Sequence, residues 1–359
     1  MALLRYRAGQ RAKQLLCARG LTAETLAGLV APAVGPKWLA MVGLDQALMG
    51  SGWLKNRRSA LAIHGASAGA FRAMALASAD PQAAYGRLVS GYIAQVFSQW
   101  DDPRSISRAF QRMLTEVFTA ADVRHALQQR DLALSIAVNR GRGPLATARP
   151  WTQRSALGLA FALNAWSPRR LDALLERIRF EYVPDGTGEL ARAMFTRWRE
   201  RSVPLLRANM HTALLASATV PTYMAPVDSP AAAPAGLYLD GGLRDYHLGR
   251  SFDTGGRGVI LVLLHQRRMI PGWFDKFWPH RRPPQDWLQD VLLVHPDDAW
   301  VRRLPGGQVP TRQDFVRFVD RPQARMAQWR EVVEASERLG QRFLEDLNGG
   351  EIPRQLEPI

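Results

Sequence analysis

The sequence predicts an α/β fold, a three-layer sandwich in which a mainly parallel central sheet is flanked by helices. Two observations favour this fold. A strand–loop–helix order occurs twice in succession near the N-terminus, and later apolar runs are short enough to be strands buried on both faces. Successive units of this kind form parallel sheets through right-handed crossovers. The chain has 359 residues, of which 47% are hydrophobic and 22% charged, so it can bury a full core.

The first unit begins with an apolar strand at Leu26–Val30. A turn-prone loop over residues 31–37 follows the strand. A helical pattern then runs from Trp38 to Met49 and is closed by Gly50.

The second unit repeats the order. It has a short apolar strand over 59–64, a tight turn over 65–69 and an alanine-rich helix over 70–79, which ends before Asp80-Pro81. Two consecutive units place both turns at the carboxyl edge of the same sheet.

The later elements are assigned from local patterns. Three apolar runs are predicted strands, two charged amphipathic stretches are predicted helices, and one segment rich in Ala and Pro is a predicted loop. In that order they are Leu132–Val138, Val259–Leu264 and Val291–Val294; Leu171–Phe180 and Leu190–Arg201; and Ser229–Gly236.

Three parts are expected along the chain. Residues 1–25 form a basic helical lead-in, 26–310 the main α/β domain, and 311–359 a C-terminal helical extension packed on the core. The lead-in has no unbroken apolar core of a signal peptide, and no apolar run reaches the ~18 residues of a membrane span. The predicted location is therefore cytoplasmic, with any membrane contact peripheral.

The net charge of +15, from 47 Lys and Arg against 32 Asp and Glu, limits the classes of binding partner to consider. Such a charge attracts polyanions or anionic membrane surfaces, although it also simply keeps a protein soluble. Arginine is spread along the chain without a recognised nucleic-acid motif, so no nucleic acid is expected and a lipid surface is preferred. Segment 266–287 mixes Arg, Lys and Trp around prolines and is predicted to be a loop that covers the core edge or contacts a membrane interface.

Cys17 is the only cysteine, which excludes an intramolecular disulfide and a cysteine-based metal cluster. No zinc-protease, nucleotide-binding or calcium-loop motif occurs in the sequence. We therefore predict neither a metal nor another cofactor. The oligomeric state is left open.

A nucleophile elbow of the G-x-S-x-G type stands at Gly65-Ala66-Ser67-Ala68-Gly69, between a predicted strand and a predicted helix. The turn is so sharp that side chains at Gly65 and Gly69 would collide. It exposes the Ser67 hydroxyl beside the positive end of the following helix, where an oxyanion would form. Ser67 is the predicted nucleophile.

A serine hydroxyl needs a base to take its proton. Tyr238-Leu239-Asp240-Gly241-Gly242 offers Asp240 at a strand end, followed by Gly241 and Gly242, which allow a tight turn. A carboxylate serves as a base when it bonds the serine in a partly desolvated site. The alternative is an ordinary Asp-Gly-Gly surface turn.

Together these motifs resemble those of the patatin-like phospholipases. The run from Ala213 to Pro221 is similar to the family's small-residue helix that ends in proline, and the resemblance spans roughly residues 26–264. It implies a patatin-like fold, a Ser67–Asp240 dyad without histidine, and hydrolysis of phospholipid or related acyl esters through an acyl-enzyme.

The family's glycine-rich oxyanion loop is altered. Aligning it places Ala33, Val34 and Gly35 on the three glycines, Pro36 next, Lys37 on the basic position and Trp38 on the last glycine. The resemblance implies an oxyanion hole formed by Val34, Gly35, Lys37 and Ala68, but Pro36 has no N–H to donate. Because one lost donor costs ~10²- to 10³-fold in turnover, a weak enzyme or a lipid-binding protein without useful catalysis is the alternative.

A Ser-His-Asp triad is the other alternative. In α/β-hydrolases the histidine follows the acid, so His247, His265 or His295 could serve. Only one strand–helix unit precedes Ser67, whereas those enzymes place their elbow after several strands. His64 is expected to order the turn, and Asp245 to brace it or to act as a second carboxylate.

Overall fold

The computed structural model describes residues 3–188, 190–192 and 200–359, and its centre is one twisted sheet. The strands lie in the order β11-β1-β10-β9-β2-β3-β4-β5-β6, with β8 paired to β4 and β7 to β8. Their bounds are β1 Leu4–Ala8, β2 Leu26–Ala31, β3 Leu61–Ala66, β4 Leu132–Gly141, β5 Leu175–Tyr182, β6 Arg201–Pro204, β7 Val227–Asp228, β8 Leu237–Asp240, β9 Val259–Leu263, β10 Val291–Pro296 and β11 Leu356–Pro358.

Helices flank this sheet. Among the described residues they are α1 Gln10–Arg19, α2 Val42–Gly50, α3 Ala68–Leu76, α4 Pro81–Ile93, α5 Pro103–Val117, α6 Ala120–Ala126, α7 Pro150–Trp166, α8 Met210–Ala218, α9 Gln285–Leu288, α10 Asp298–Val301, α11 Gln313–Arg317 and α12 Pro322–Asn348. None of them is both long and apolar enough to cross a membrane.

The five central strands β10, β9, β2, β3 and β4 are parallel to one another. Every residue of β2, β3, β9 and β10 is buried, as expected for strands covered by helices on both faces. The α/β sandwich with a mainly parallel sheet is therefore confirmed, as are the predicted central strands and the loop over 229–236.

The N-terminus differs from the predicted helical lead-in. Residues Leu4–Ala8 form a strand that runs antiparallel to β10 and parallel to β11, and the helix begins only at Gln10. Leu4, Tyr6 and Ala8 are buried. Apolar side chains at every second position follow the two-residue period of a strand, although Arg7 between two of them is buried as well, and β10 supplies the edge with which β1 pairs.

The predicted helix over Leu171–Phe180 is wrong. A 3-10 turn at Pro168–Ala173 leads into β5, which pairs antiparallel with β4 along its whole length and parallel with β6. Apolar residues at helical spacing favoured a helix, but pairing in the sheet overrides that local preference. Most of the predicted helix Leu190–Arg201 lies outside the described residues, and its last residue starts β6.

The C-terminal region contains the long helix α12, which ends at Asn348 before two glycines, but the predicted helical extension over 311–359 does not hold to its end, because Leu356–Pro358 form β11 and pair with β1. This helix packs closely on α2: a Cβ atom built on Gly43 would lie 2.0 Å from the carbonyl oxygen of Ser336, and one on Gly340 would lie 2.2 Å from the carbonyl oxygen of Gly43. Only glycine allows the two backbones to approach this far. The contact holds the segment that carries α11 against the carboxyl end of the sheet.

Candidate active site

Ser67 occupies the turn between β3 and α3, with the unfavourable backbone angles φ 54° and ψ −128°. A Cβ on Gly65 would lie 2.6 Å from the carbonyl oxygen of Gly69, and one on Gly69 would lie 1.9 Å from that of Ala31. Both glycines of the motif are therefore required by sterics. The strained turn presents the serine side chain at the end of β3, as the motif predicted.

Hydrogen bonds hold the elbow in place from the opposite side of the site. The Ser67 N–H donates to Ser217 Oγ at 2.8 Å, and that hydroxyl donates to the carbonyl oxygen of Ala137 at 2.7 Å. Ser217 lies on α8, within the small-residue run singled out in the sequence. It fixes the orientation of the Ser67 backbone by linking α8 to β4.

The Asp240 carboxylate reaches the same point from the end of β8. Ser67 Oγ donates to Asp240 Oδ2 at 3.0 Å, and the N–H of Gly242 donates to Oδ1 at 2.6 Å. The pair forms because β3 and β8 follow one another along the same edge of β4, where Ala66 and Asp240 lie opposite the adjacent residues Ala137 and Val138.

Glycine is needed at both positions that follow Asp240. A Cβ on Gly241 would lie 2.2 Å from the carbonyl oxygen of Ala137, and one on Gly242 would lie 2.7 Å from Ala33 Cβ. Asn139 donates to the carbonyl oxygens of Asp240 at 2.7 Å and Gly241 at 3.2 Å. The Asp-Gly-Gly motif is thus a buried turn packed against the sheet and not a surface turn.

Burial raises the pKa of Asp240 above its usual value, because the desolvated carboxylate loses hydration. The Arg312 guanidinium and the hydrogen bonds from Gly242 and Ser67 act in the opposite direction and lower that pKa. The net effect is a carboxylate that is more basic than an exposed aspartate. That basicity suits a group that must accept a proton from a serine.

Arg312 is a site residue that the sequence did not reveal. Its guanidinium lies 3.9 Å from Asp240 Oδ2, and its Nε lies 3.3 Å from the position of a Cβ on Gly35. It comes from the segment just before α11, far from both motifs in sequence. In the sequence it is one of 47 Lys and Arg residues, and no motif around it singles it out.

The predicted oxyanion residues separate into two groups. Gly35, at the start of a 3-10 helix with φ 56°, and Ala68, the first residue of α3, line a recess of about 30 Å³ next to Ser67. The first N–H groups of a helix have no partner inside it. The Val34 N–H donates to the carbonyl oxygen of Pro32 at 3.1 Å, and neither Val34 nor Lys37 lines this recess.

A cavity of about 370 Å³ opens over the Ser67–Asp240 pair. Its lining is mainly apolar, with Arg312 as the cationic group. The apolar and aromatic lining comes from several segments, namely Ala33, Leu157, Val220, Pro221, Tyr223, Leu243, Tyr246, Trp273 and Val316. The cavity is large enough for an acyl chain and leaves the serine at its base.

His64 and Asp245 form a brace beneath the turn. His64 bonds Asp245 Oδ2 at 2.8 Å and Ser135 Oγ at 2.9 Å, and Arg250 donates to the same Asp245 oxygen at 2.5 Å. The charge of Arg250 holds the pKa of Asp245 well below its usual range, against the opposing effect of burial. Asp245 is therefore an ion-paired carboxylate under the site.

The three later histidines make their contacts elsewhere. His247 Nδ1 accepts from the N–H of Ile270 at 3.2 Å, and His295 Nδ1 donates to the carbonyl oxygen of Pro296 at 2.8 Å. The His265 ring packs edge-on against His247, with ring centroids 5.8 Å apart. Burial lowers the pKa of His247 to about 3 and that of His265 well below its usual value.

No group of three or more His, Cys, Asp or Glu side chains in the described part of the chain is arranged to hold a metal ion. The chemistry available in the site is thus a hydroxyl bonded to a basic carboxylate, free helix N–H groups beside it, and one guanidinium. Acyl transfer to a serine hydroxyl requires groups of these kinds.

The family model described as patatin-like phospholipase matches residues 56–247, a range that contains both Ser67 and Asp240. Human GIVD cytosolic phospholipase A2 is a similar solved structure, with 11% identity and a TM-score of 0.33 over 96% of this chain and 64% of that one. This chain thus spans less than two thirds of that chain's length. No curated protein matches the sequence.

Proposed function

Because this chain belongs to the patatin-like phospholipase family, we propose that it hydrolyses lipid acyl esters with Ser67 as nucleophile and Asp240 as its catalytic base. The observation that carries the proposal is the direct hydrogen bond of 3.0 Å from Ser67 Oγ to Asp240 Oδ2 at the base of an apolar cavity. A hydroxyl placed this way transfers its proton to the carboxylate as it attacks.

The first half of the reaction forms an acyl-enzyme. Ser67 Oγ bonds to the ester carbonyl carbon while Asp240 takes the serine proton, which gives a tetrahedral oxyanion. The N–H groups of Gly35 and Ala68 donate to that oxyanion. The bond to the leaving oxygen then breaks, and Asp240 returns the proton to the alkoxide, which departs as an alcohol or lysolipid.

Water completes the cycle. It attacks the acyl carbon while Asp240 accepts one of its protons, and the second tetrahedral intermediate collapses. The fatty acid leaves, and the proton passes from Asp240 back to Ser67 Oγ. One carboxyl group thus alternates between base and acid, which the raised pKa of Asp240 favours.

Arg312 supplies charge that the altered loop lacks. Its guanidinium lies beside both Gly35 and Asp240, so it stabilises negative charge on the oxyanion side of Ser67 and keeps the carboxylate ionised. We assign it as an electrostatic component of the site that partly replaces the missing glycine N–H donors.

The direct experiment measures release of fatty acid from a phospholipid, and of p-nitrophenol from an acyl ester, by purified protein. Ser67→Ala and Asp240→Asn should each lower kcat by about 10⁴-fold or more, as removal of one member of a catalytic unit does. Asp286→Asn, the same change at an exposed carboxylate, is the matched control and should retain full activity. Full activity in Asp240→Asn would exclude the dyad.

Lipid binding without turnover is the second candidate function. Two residues of the altered loop favour it, because neither can donate an N–H to an oxyanion. The Val34 N–H already donates to the carbonyl oxygen of Pro32, and Pro36 has no N–H. In that case the wild-type protein and Ser67→Ala would bind lipid equally well, and neither would release fatty acid.

A further inference from the structure

Helix α7, at residues 150–166, exposes apolar side chains that a surface helix normally buries. Trp151 is 77% exposed, Leu159 47% and Trp166 74%. At 100° per residue these three lie on one side of the helix, within roughly a 100° arc. The other exposed residues in that arc are small and uncharged, namely Ser155, Gly158 and Ala162.

The exposed patch continues onto neighbouring segments. Phe277, 51% exposed, packs edge-on against Phe161 of α7 with ring centroids 5.5 Å apart. Val316 of α11 is 74% exposed. Five of the eight large apolar side chains exposed in the described chain therefore lie on α7 or next to the cavity, and such concentration marks an interaction surface.

The patch adjoins the cavity over the Ser67–Asp240 pair. Val316 lines that cavity, as does Trp273, whose ring centroid lies 5.5 Å from that of Phe277. Leu157, on the opposite side of α7 from the exposed tryptophans, lines it too, so α7 forms part of the cavity wall and turns those tryptophans outward. A partner that covers Phe277 and Val316 would therefore lie next to the cavity. We call the exposed side chains of Trp151, Leu159, Trp166, Phe277 and Val316 the rim patch.

Positive charge borders the rim patch. Residues 132–171 contain six arginines and no acidic residue. Arg170 lies 3.7 Å over the Trp166 ring, Arg154 lies 5.1 Å over the Trp151 ring, and Lys276 lies 3.8 Å over the Trp273 ring. Each of these three tryptophans therefore presents an apolar ring with a cation beside it.

From this arrangement we infer that α7 and the rim patch dock the protein on an anionic lipid surface, with the cavity mouth facing the lipid. Indole rings suit the headgroup boundary, and the flanking guanidinium groups pair with lipid phosphates. A second copy of this chain is a poorer partner, because residues 132–171, which include α7, carry six arginines and no acidic residue, so two copies of this helix face would repel each other. The purpose of this docking, to bring the cavity to its lipid substrate, rests on the proposed function. Binding to the lipid surface can be measured without turnover.

The test is co-sedimentation of Ser67→Ala protein with vesicles of phosphatidylcholine, with and without phosphatidylglycerol. The serine variant removes hydrolysis from the measurement, so a failure of the proposed chemistry leaves this result intact. We expect binding to the anionic vesicles that weakens with added salt. Hydrogen exchange of residues 150–166 should slow only when those vesicles are present.

Two sets of variants locate the surface. Trp151→Ser with Trp166→Ser, and separately Arg169→Glu with Arg170→Glu, should each weaken vesicle binding by about tenfold or more. The matched charge control is Arg330→Glu with Arg338→Glu on α12, which packs on α2 and β1 and not on α7. It makes the same change in net charge and should bind as the parent does.

The tryptophan and arginine positions lie outside the cavity lining. The same variants with Ser67 intact should therefore cleave a short soluble acyl ester at the wild-type rate, and this activity shows that they fold. The inference is overturned if the protein ignores anionic vesicles, or if it binds them equally well with all four substitutions. It is also overturned if the wild type sediments as a dimer that the tryptophan substitutions dissociate.

Discussion

The proposed mechanism depends most on the carboxyl group of Asp240. Burial makes this group more basic, while Arg312 at 3.9 Å limits the effect. The balance leaves the pKa of this carboxyl group above its usual value, so the group holds a proton more readily during the reaction. An aspartate with the low pKa of Asp245 would be too weak a base for this role.

Arg312→Gln should move the acid limb of kcat/KM to higher pH. Loss of the guanidinium removes a charge that favours the ionised carboxylate, so the pKa of Asp240 rises and less of the base is ionised at a given acidic pH. The pH–rate profile on a soluble acyl ester measures the shift, and kcat should also fall because oxyanion stabilisation is lost.

Arg317→Gln is the matched control, since it removes the same charge five residues later on the exposed side of α11. Its profile should overlay that of the wild type. An acid limb that stays in place or moves to lower pH in Arg312→Gln would show that this arginine does not act on Asp240.

At the scale of elements, the contact between α2 and α12 holds Arg312 in position. Gly340→Ala should lower the free energy of unfolding by about 1 to 3 kcal/mol, because the new Cβ would lie 2.2 Å from the carbonyl oxygen of Gly43 and must push the helices apart. Urea denaturation measures this loss. Esterase activity should fall with it as α11 shifts.

Gly86→Ala provides the comparison. Gly86 lies inside α4, and a Cβ there would meet open space. Alanine is the better helix former, so this variant should gain about 0.5 to 1 kcal/mol. If both substitutions change stability in the same direction, close packing is not what requires Gly340.

Local sequence patterns predicted the elements that approach the site most directly. β2, β3 and the elbow were readable because apolar runs, glycines and a serine follow one another within a few residues. The pairing of β5 with β4 was not readable, since its partners are distant in sequence and its own pattern is helical. Helix α7 was missed because its apolar residues are spread around the helix and leave no clear amphipathic period to detect.

The same distinction holds for the site. Ser67 and Asp240 could be paired in advance because each carries its own glycine signature. His64 and Asp245 were expected to order and brace the turn, but their partner Arg250 and the cavity residue Arg312 have no such signature, and only the folded chain brings them to the site. Contacts between side chains distant in the sequence remain invisible to local patterns.

For the whole molecule, buried histidines couple folding to pH. Burial lowers the pKa of His64, His247, His265 and His295. In the unfolded chain histidine titrates near pH ~6.5, so below that pH the unfolded state binds protons that the folded state excludes. The stability is therefore complete above pH ~6.5 and is lost as the pH falls.

Urea denaturation at neutral and mildly acidic pH checks this coupling. His247, whose pKa in the folded state is about 3, contributes about 1.4 kcal/mol one pH unit below its unfolded pKa, so the free energy of unfolding should drop by at least about 1 kcal/mol near pH ~5.5. The raised pKa of Asp240 opposes this trend, but it is one group against four. Constant or rising stability on acidification would show that these histidines are protonated in the folded protein.

The central claim is that Ser67 is a nucleophile activated by Asp240 alone, and a fluorophosphonate probe tests it most directly. Mass spectrometry of the digested protein should locate one covalent adduct, on Ser67. The adduct should form normally in His247→Gln and His265→Gln and fail to form in Asp240→Asn. An adduct on another residue, or undiminished labelling of Ser67 in Asp240→Asn, would contradict the account.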